Sequence, residues 1–105
     1  MSGSEADRGL RLLCRNRVED PERWRRVFDE ELARTEHSGL RLLAVWQEVD
    51  DPQEVHFLFA VEDRATAEAF LADPAGAQAG ERAGVVDGEV RFVESWGGDG
   101  GEGSP

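Results

Sequence analysis

LRLLAVWQEVDDPQEVHFLFAV, residues 40–61, holds two alternating runs on either side of Asp50-Asp51-Pro52. In the second run Val55, Phe57, Phe59 and Val61 fall on one side, and His56, Leu58 and Ala60 on the other. That is the period of two that a strand imposes. Residues 40–49 read as its partner, and the Asp-Asp-Pro step supplies a turn. A β-hairpin is expected here.

Working outward, each side of the hairpin offers first a helix and then a strand. On the N-terminal side, VEDPERWRRVFDEEL (residues 18–32) opens with Asp20 as a capping side chain. Pro21 suits the first helical position, and Glu22 faces the positive end of the helix dipole. Trp24, Val27, Phe28, Leu32 and Thr35 recur at spacings of three and four, one buried stripe. Arg25, Arg26, Asp29, Glu30 and Arg34 lie largely off it. Glu22–Arg26 and Glu30–Arg34 are acid-before-base pairs, each expected to add about 0.2–0.5 kcal/mol. Gly39 stands where a helix C-terminus favours glycine. Upstream, residues 10–18 (LRLLCRNRV) alternate as a strand.

On the C-terminal side, Asp63 caps a helix carrying Ala67, Phe70 and Leu71. Asp73-Pro74 interrupts it, because proline lacks a donor and disfavours helix in the residue before it. A short alanine-rich helix restarts there and ends by Gly84, and residues 89–96 (EVRFVESW) form a last strand. The order β-α-β-β-α-β predicts an α+β, ferredoxin-like fold: a four-stranded antiparallel sheet with both helical segments on one face.

The sheet then has two faces. Leu12, Cys14, Leu42, Ala44, Trp46, Phe57, Phe59, Phe92 and Trp96 are expected under the helices. The other face would carry Leu13, Leu43, Val45, Leu58 and Val93 among Arg11, Arg15, Arg41, His56 and Arg91. So many aliphatics do not suit a face turned only to water, and a second protein surface would cover them. A homodimer packed sheet to sheet is expected, with Arg15, Leu43, Val45, His56 and Leu58 in its interface.

With 105 residues the chain fits one domain, expected over residues 9–96. Residues 1–8 and the glycine-rich, acidic residues 97–105 read as disordered tails. The net charge of −11 repels nucleic acid and anionic membrane, so neither is an expected partner. No run is long and apolar enough to span a membrane, and the N-terminus lacks the pattern of a secretory signal. Cys14 is the only cysteine and cannot form an internal disulfide, which suits a cytoplasmic location. All twelve basic residues are arginine and there is no tyrosine, so a lysine Schiff base and a tyrosine acid are both unavailable.

Few residues carry chemistry. Asn16 and Glu94 are the polar exceptions on the helix-facing surface. There Asn16 could orient a substrate oxygen and Glu94 could act as a base. The plainer alternative leaves Glu94 wet at the sheet end and Asn16 bonded to a loop. Trp24, Phe28, Trp46, Phe57, Phe59 and Phe70 are candidates for an aromatic pocket wall, or simply for core. His56 reads as an interface residue and His37 as a helix-end residue. No metal site is expected from two distant histidines without paired ligands. Cys14 reads as a small buried hydrophobe. The glycines of PAGAQAGERAG break a weak helix that could cover the pocket as a lid.

The run RNRVEDPERWRRVFDEE, then HSGL, the DDPQEVHFLF hairpin and AEAFLADPAGAQAGERAGVVDGEVRFVES together resemble the small dimeric α/β-barrel proteins labelled "cyclase" or antibiotic-biosynthesis-monooxygenase-like. The resemblance runs from about Leu10 to Trp96. It implies two sheets closing into a barrel, with a pocket between sheet and helices in each subunit. It also implies a cofactor-independent cyclase or monooxygenase-like enzyme acting on a hydrophobic aromatic or polyketide-like metabolite. A non-catalytic small-molecule-binding or accessory dimer is the alternative within the same fold. There are departures. Relatives often carry histidine at the place of Asn16 and tyrosine at that of Pro21. The histidine that plant cyclases use falls in the segment reading DPAGAQAG here. Haem-degrading relatives bind iron through a histidine of the second helical region, and residues 64–84 contain none. Neither mechanism carries over.

Overall fold

A computed structural model describes residues 9–96; the tails expected at residues 1–8 and 97–105 lie outside it. The elements are β1 (Arg11–Val18), α1 (Pro21–His37), β2 (Leu40–Gln47), β3 (Glu54–Val61), α2 (Arg64–Ala72), α3 (Pro74–Ala83) and β4 (Val85–Val93). All strand pairs are antiparallel, in the order β2-β3-β1-β4. This is the expected ferredoxin-like arrangement, with the second helical region split in two.

The helix boundaries follow from local chemistry. The Asp20 carboxylate accepts from the backbone N–H of Glu22 and Arg23 at 3.1 and 3.2 Å, covering two donors that a helix start leaves open. Asp63 does the same for α2 through the Thr66 N–H at 2.9 Å. Asp73 both ends α2 and caps α3, accepting from the Ala75 N–H at 2.9 Å, with Pro74 at the first position of α3. Gly84 closes α3 at φ +79°, a left-handed conformation that a Cβ disfavours. Of the expected helix ion pairs neither Glu22–Arg26 nor Glu30–Arg34 forms. Arg25 bonds Asp29 instead at 3.1 Å, and Arg34 bonds Glu31 at 2.8 Å.

The core lies between the sheet and α1. Leu12, Cys14 and Val18 of β1 are buried with Val55, Phe57, Phe59 and Val61 of β3 and with Trp24 and Val27 of α1. Burying a side chain of this size contributes about 1.5–3 kcal/mol. Trp24 stacks on Phe28 with centroids 4.7 Å apart, and Phe57 meets Trp24, Phe28 and Phe59 at 5.5, 5.2 and 5.8 Å. α3 packs chiefly on α1 and touches β4 only lightly. The edge strand β4 is therefore incompletely covered, and most of its residues are exposed.

Two irregularities correct the expected faces. In β2, Leu42 pairs with Phe59 but Ala44 pairs with Leu58, so Leu43 is an extra residue and the strand bulges. One inserted residue moves every later side chain to the opposite face. Val45, expected in the interface, lies opposite Phe57 and packs on the core. Ala44 and Trp46, expected under the helices, lie opposite Leu58 and His56 on the open face, with Trp46 50% exposed. In β4 the strand starts at Val85, immediately after the Gly84 cap, and ends at Val93. A second shift, between Arg17 and Val18, brings Val18 opposite Val85. The strand expected over residues 89–96 leaves out Gly88, which sits inside it opposite Asn16. Glu94 and Trp96 lie beyond the strand end, and Trp96 is 95% exposed instead of in the core.

Candidate functional site: an aromatic cleft beneath the helices

A cleft of about 200 Å³ lies between the central strands of the sheet and the three helices. Its floor is Leu12, Cys14, Phe57 and Phe59; α1 contributes Trp24, Val27 and Phe28, and α2 contributes Phe70 and Leu71. The fourth wall is α3, which presents only Gly76, Ala79, Gly80 and Ala83. Side chains this small cannot reach the floor, and that is why the space stays open. The glycines and alanines of the weak helix thus make room above the aromatics.

Four polar side chains line the space: Asn16, Glu31, Arg34 and Thr35. The Asn16 amide oxygen accepts from the Trp24 indole N–H at 3.1 Å, and its nitrogen donates to the Arg15 carbonyl at 2.9 Å. This pair ties β1 to α1 and fixes the plane of the Trp24 ring. Gly88 permits it: a Cβ there would stand 2.6 Å from the Asn16 amide and 3.0 Å from the Arg15 carbonyl. The Thr35 hydroxyl donates to the Glu31 carbonyl at 3.0 Å. The Glu31 carboxylate accepts from Arg34 Nε at 2.8 Å and from Arg82 Nη2 at 3.1 Å. Arg34, and then Arg82, hold its carboxyl below the usual range. Arg34 lies over the Phe70 ring, 4.8 Å from its centroid. The Cys14 thiol is pushed up to about 12 by burial, so it stays protonated and is no nucleophile at neutral pH.

Asn16, Trp24, Phe28, Phe57, Phe59 and Phe70 therefore meet in one cleft, as their spacing suggests. Trp46 does not line it, because the β2 bulge turns the ring to the other face. Glu94 is exposed past the end of β4 and does not line it either. Glu31 and Arg34 escape notice in the sequence because they sit beside the apolar stripe of α1 among other charges. The one signal was their spacing of three, which sets them on the same face as Phe28 and Thr35.

The open face differs throughout. At one end Arg15 bonds Glu54 at 2.9 Å and Asp87 at 3.0 Å, while Arg17 bonds Asp51 at 3.0 Å and Glu54 at 2.9 Å. Arg15, named for the interface, is thus already engaged within its own chain. Its guanidinium holds its proton more tightly than usual, through Asp87 first and Glu54 second. His56 pairs with Glu48 at 2.8 Å. At the other end Leu13, Leu43 and Val93 are each more than a third exposed, with Leu58 paired to Leu13. No helix of the described residues is long and apolar enough to cross a membrane.

No protein-family model matches the chain, and no curated protein matches it in sequence. Solved structures do match. An antibiotic biosynthesis monooxygenase superposes with a TM-score of 0.63 at 18% identity, covering 83% of this chain and 98% of its own. SnoaB, a cofactor-independent oxygenase from Streptomyces nogalater, gives 0.67 at 18% identity, covering 84% and 93%. A NIPSNAP domain protein from Burkholderia xenovorans gives 0.63 at 18% identity, covering 84% and 95%. The chain has the ferredoxin-like fold of the antibiotic-biosynthesis-monooxygenase-like proteins, as the resemblance in its sequence implies.

Proposed function

We propose that the cleft binds a hydrophobic, aromatic or polyketide-like metabolite and that the protein is a cofactor-independent monooxygenase-like or cyclase-like enzyme. The observation that carries this reading is the cleft itself. Five aromatic rings surround a space that a small-residue helix leaves open, in a domain small enough that filling the space would add stability. An enzyme of this kind needs little from its side chains if the substrate ionises readily. An ionised phenol or enol can itself reduce dioxygen: a ring methylene becomes a carbonyl and the second oxygen atom leaves as water. The protein then has to hold the ring system flat, exclude water and place one polar group at the reacting oxygen. Asn16, fixed between Trp24 and the Arg15 carbonyl, is the residue we assign to that last task.

A non-catalytic binding role is favoured by a different observation. Every candidate base lining the cleft is occupied: Glu31 is shared by two arginines and Cys14 is held as a thiol. Chemistry that needs the protein to take a proton would have no acceptor there.

The open face supports a homodimer packed sheet to sheet. Leu13, Leu43, Leu58 and Val93 form an apolar patch that a second copy would cover, and the ionic end would form its rim.

Oxygen uptake with anthrone, a tricyclic compound with an acidic methylene, tests the enzymatic reading. Uptake that wild type supports and Asn16→Ala loses is expected. Binding of anthrone without uptake would transfer the site to the accessory role. Absence of both would overturn the two readings together.

A further inference from the structure

We propose that Arg34 selects ligands bearing an ionised carboxylate on the aromatic system. This role rests on the cleft being the binding site described above, and it adds the charged group that the ligand presents.

Arg34 is the cationic side chain of the cleft, and it has donors to spare. Asn16 keeps one neutral amide N–H beyond its bonds to Trp24 and Arg15, the Thr35 hydroxyl is given to a backbone carbonyl, and the Glu31 carboxylate accepts on both oxygens. Arg34 uses only its Nε, toward Glu31. Among the described residues neither Nη has a hydrogen-bond partner. The guanidinium is nonetheless held in place. Glu31 fixes its Nε edge, and Phe70, itself part of the cleft wall, lies against its flat side. With the Nε edge taken, the edge left open is the Nη1–Nη2 pair, whose parallel N–H bonds match the two oxygens of a carboxylate.

The local charge agrees. Glu31, Arg34 and Arg82 sum to one positive charge at the rim of the cleft, in a chain whose net charge is −11. A mobile anion would be repelled by most of this surface and attracted here. An aromatic acid can place its rings among Phe28, Phe57, Phe59 and Phe70 and its carboxylate at the rim. A neutral analogue of the same shape would leave the guanidinium edge without its partner.

Anthracene-2-carboxylate and anthracene-2-carboxamide, titrated calorimetrically into the full chain at neutral pH, separate the possibilities. The carboxylate is expected to bind about tenfold to a hundredfold more tightly, the range for a charge-assisted pair. Arg34→Gln should abolish that ratio, bringing the carboxylate's affinity down to that of the carboxamide. Arg34→Lys, which keeps the charge but not the paired donors, should give an intermediate ratio, and circular dichroism would verify that both variants fold. Equal affinities in wild type would overturn the role of Arg34 and leave the cleft as the binding site. A variant that weakened both probes alike would show Arg34 to be structural. If neither probe bound wild type, the binding-site reading would fall, and the selection with it.

Discussion

The two faces of this sheet are built from the same strands by opposite means. The face under the helices is aromatic, bears Asn16 among its apolar residues, and has a hollow in it. The open face is crossed by ion pairs at one end and left bare and aliphatic at the other. Alternation along β1 and β3 makes the contrast: Leu12, Cys14 and Asn16 point one way, and Leu13, Arg15 and Arg17 the other. The lesson is that one face of a sheet can hold the fold and shape a cleft, while the other is stitched by ion pairs and keeps an exposed apolar patch.

The largest effect should come from the packed face. Phe57→Ala removes the ring that touches Trp24, Phe28 and Phe59, and should destabilise the fold by about 3–5 kcal/mol in urea denaturation. A loss below about 1 kcal/mol would mean that the cluster rearranges freely. On the open face, Leu58→Glu puts a charge beside Leu13 without touching the core. If the proposed dimer forms, native mass spectrometry should show it for wild type and a folded monomer for the variant. A wild type that is already monomeric at micromolar concentration would remove the proposed interface.

Smaller changes sharpen the comparison. Gly88→Ala forces a methyl to 2.6 Å from the Asn16 amide and should cost about 1–3 kcal/mol, with loss of the Trp24 hydrogen bond visible in the indole N–H resonance. The ionic end of the open face predicts an acid dependence. Arg17, then Arg15, lower the Glu54 carboxyl in the folded state, and Arg15 lowers Asp87. Folded values below unfolded ones mean that these pairs stabilise fully above the ordinary carboxylate range. Their contribution disappears as the pH falls through the lowered folded values. Glu54→Gln should therefore flatten the acid side of a melting-temperature profile; an unchanged acid limb would assign the dependence to other carboxylates. The smallest effect is expected at the exposed Arg25–Asp29 pair, where Asp29→Asn should shift stability by no more than about 0.5 kcal/mol.

Much of this contrast is legible in the sequence, because burial enforces periodicity. The helix caps at Asp20 and Asp63, the break at Asp73-Pro74 and the alternation of β3 all stand where local chemistry puts them. Strict alternation misleads where a strand inserts a residue. Nothing in LRLLAVWQ marks Leu43 as the extra one, so Val45 and Trp46 exchange faces. Gly88 is missed in another way. A strand read from residue 89 leaves it outside, whereas here its missing side chain makes room for Asn16 inside the sheet. The cleft escapes a sequence reading in part, since an aromatic stripe looks the same over a filled core as over a hollow one. What differs is the row of small residues on α3, whose position across the space only the tertiary structure supplies.

The fixing of Trp24 by Asn16 has an optical consequence. With no tyrosine in the chain, its near-ultraviolet emission belongs to three indoles. Trp24 is buried and hydrogen-bonded in the cleft, while Trp46 is half in solvent and Trp96 almost wholly so. An external quencher would extinguish the two wet indoles first and leave the blue-shifted light of Trp24. A ligand entering the cleft, as proposed, would change that residual colour, and the protein would then report its own occupancy without a label.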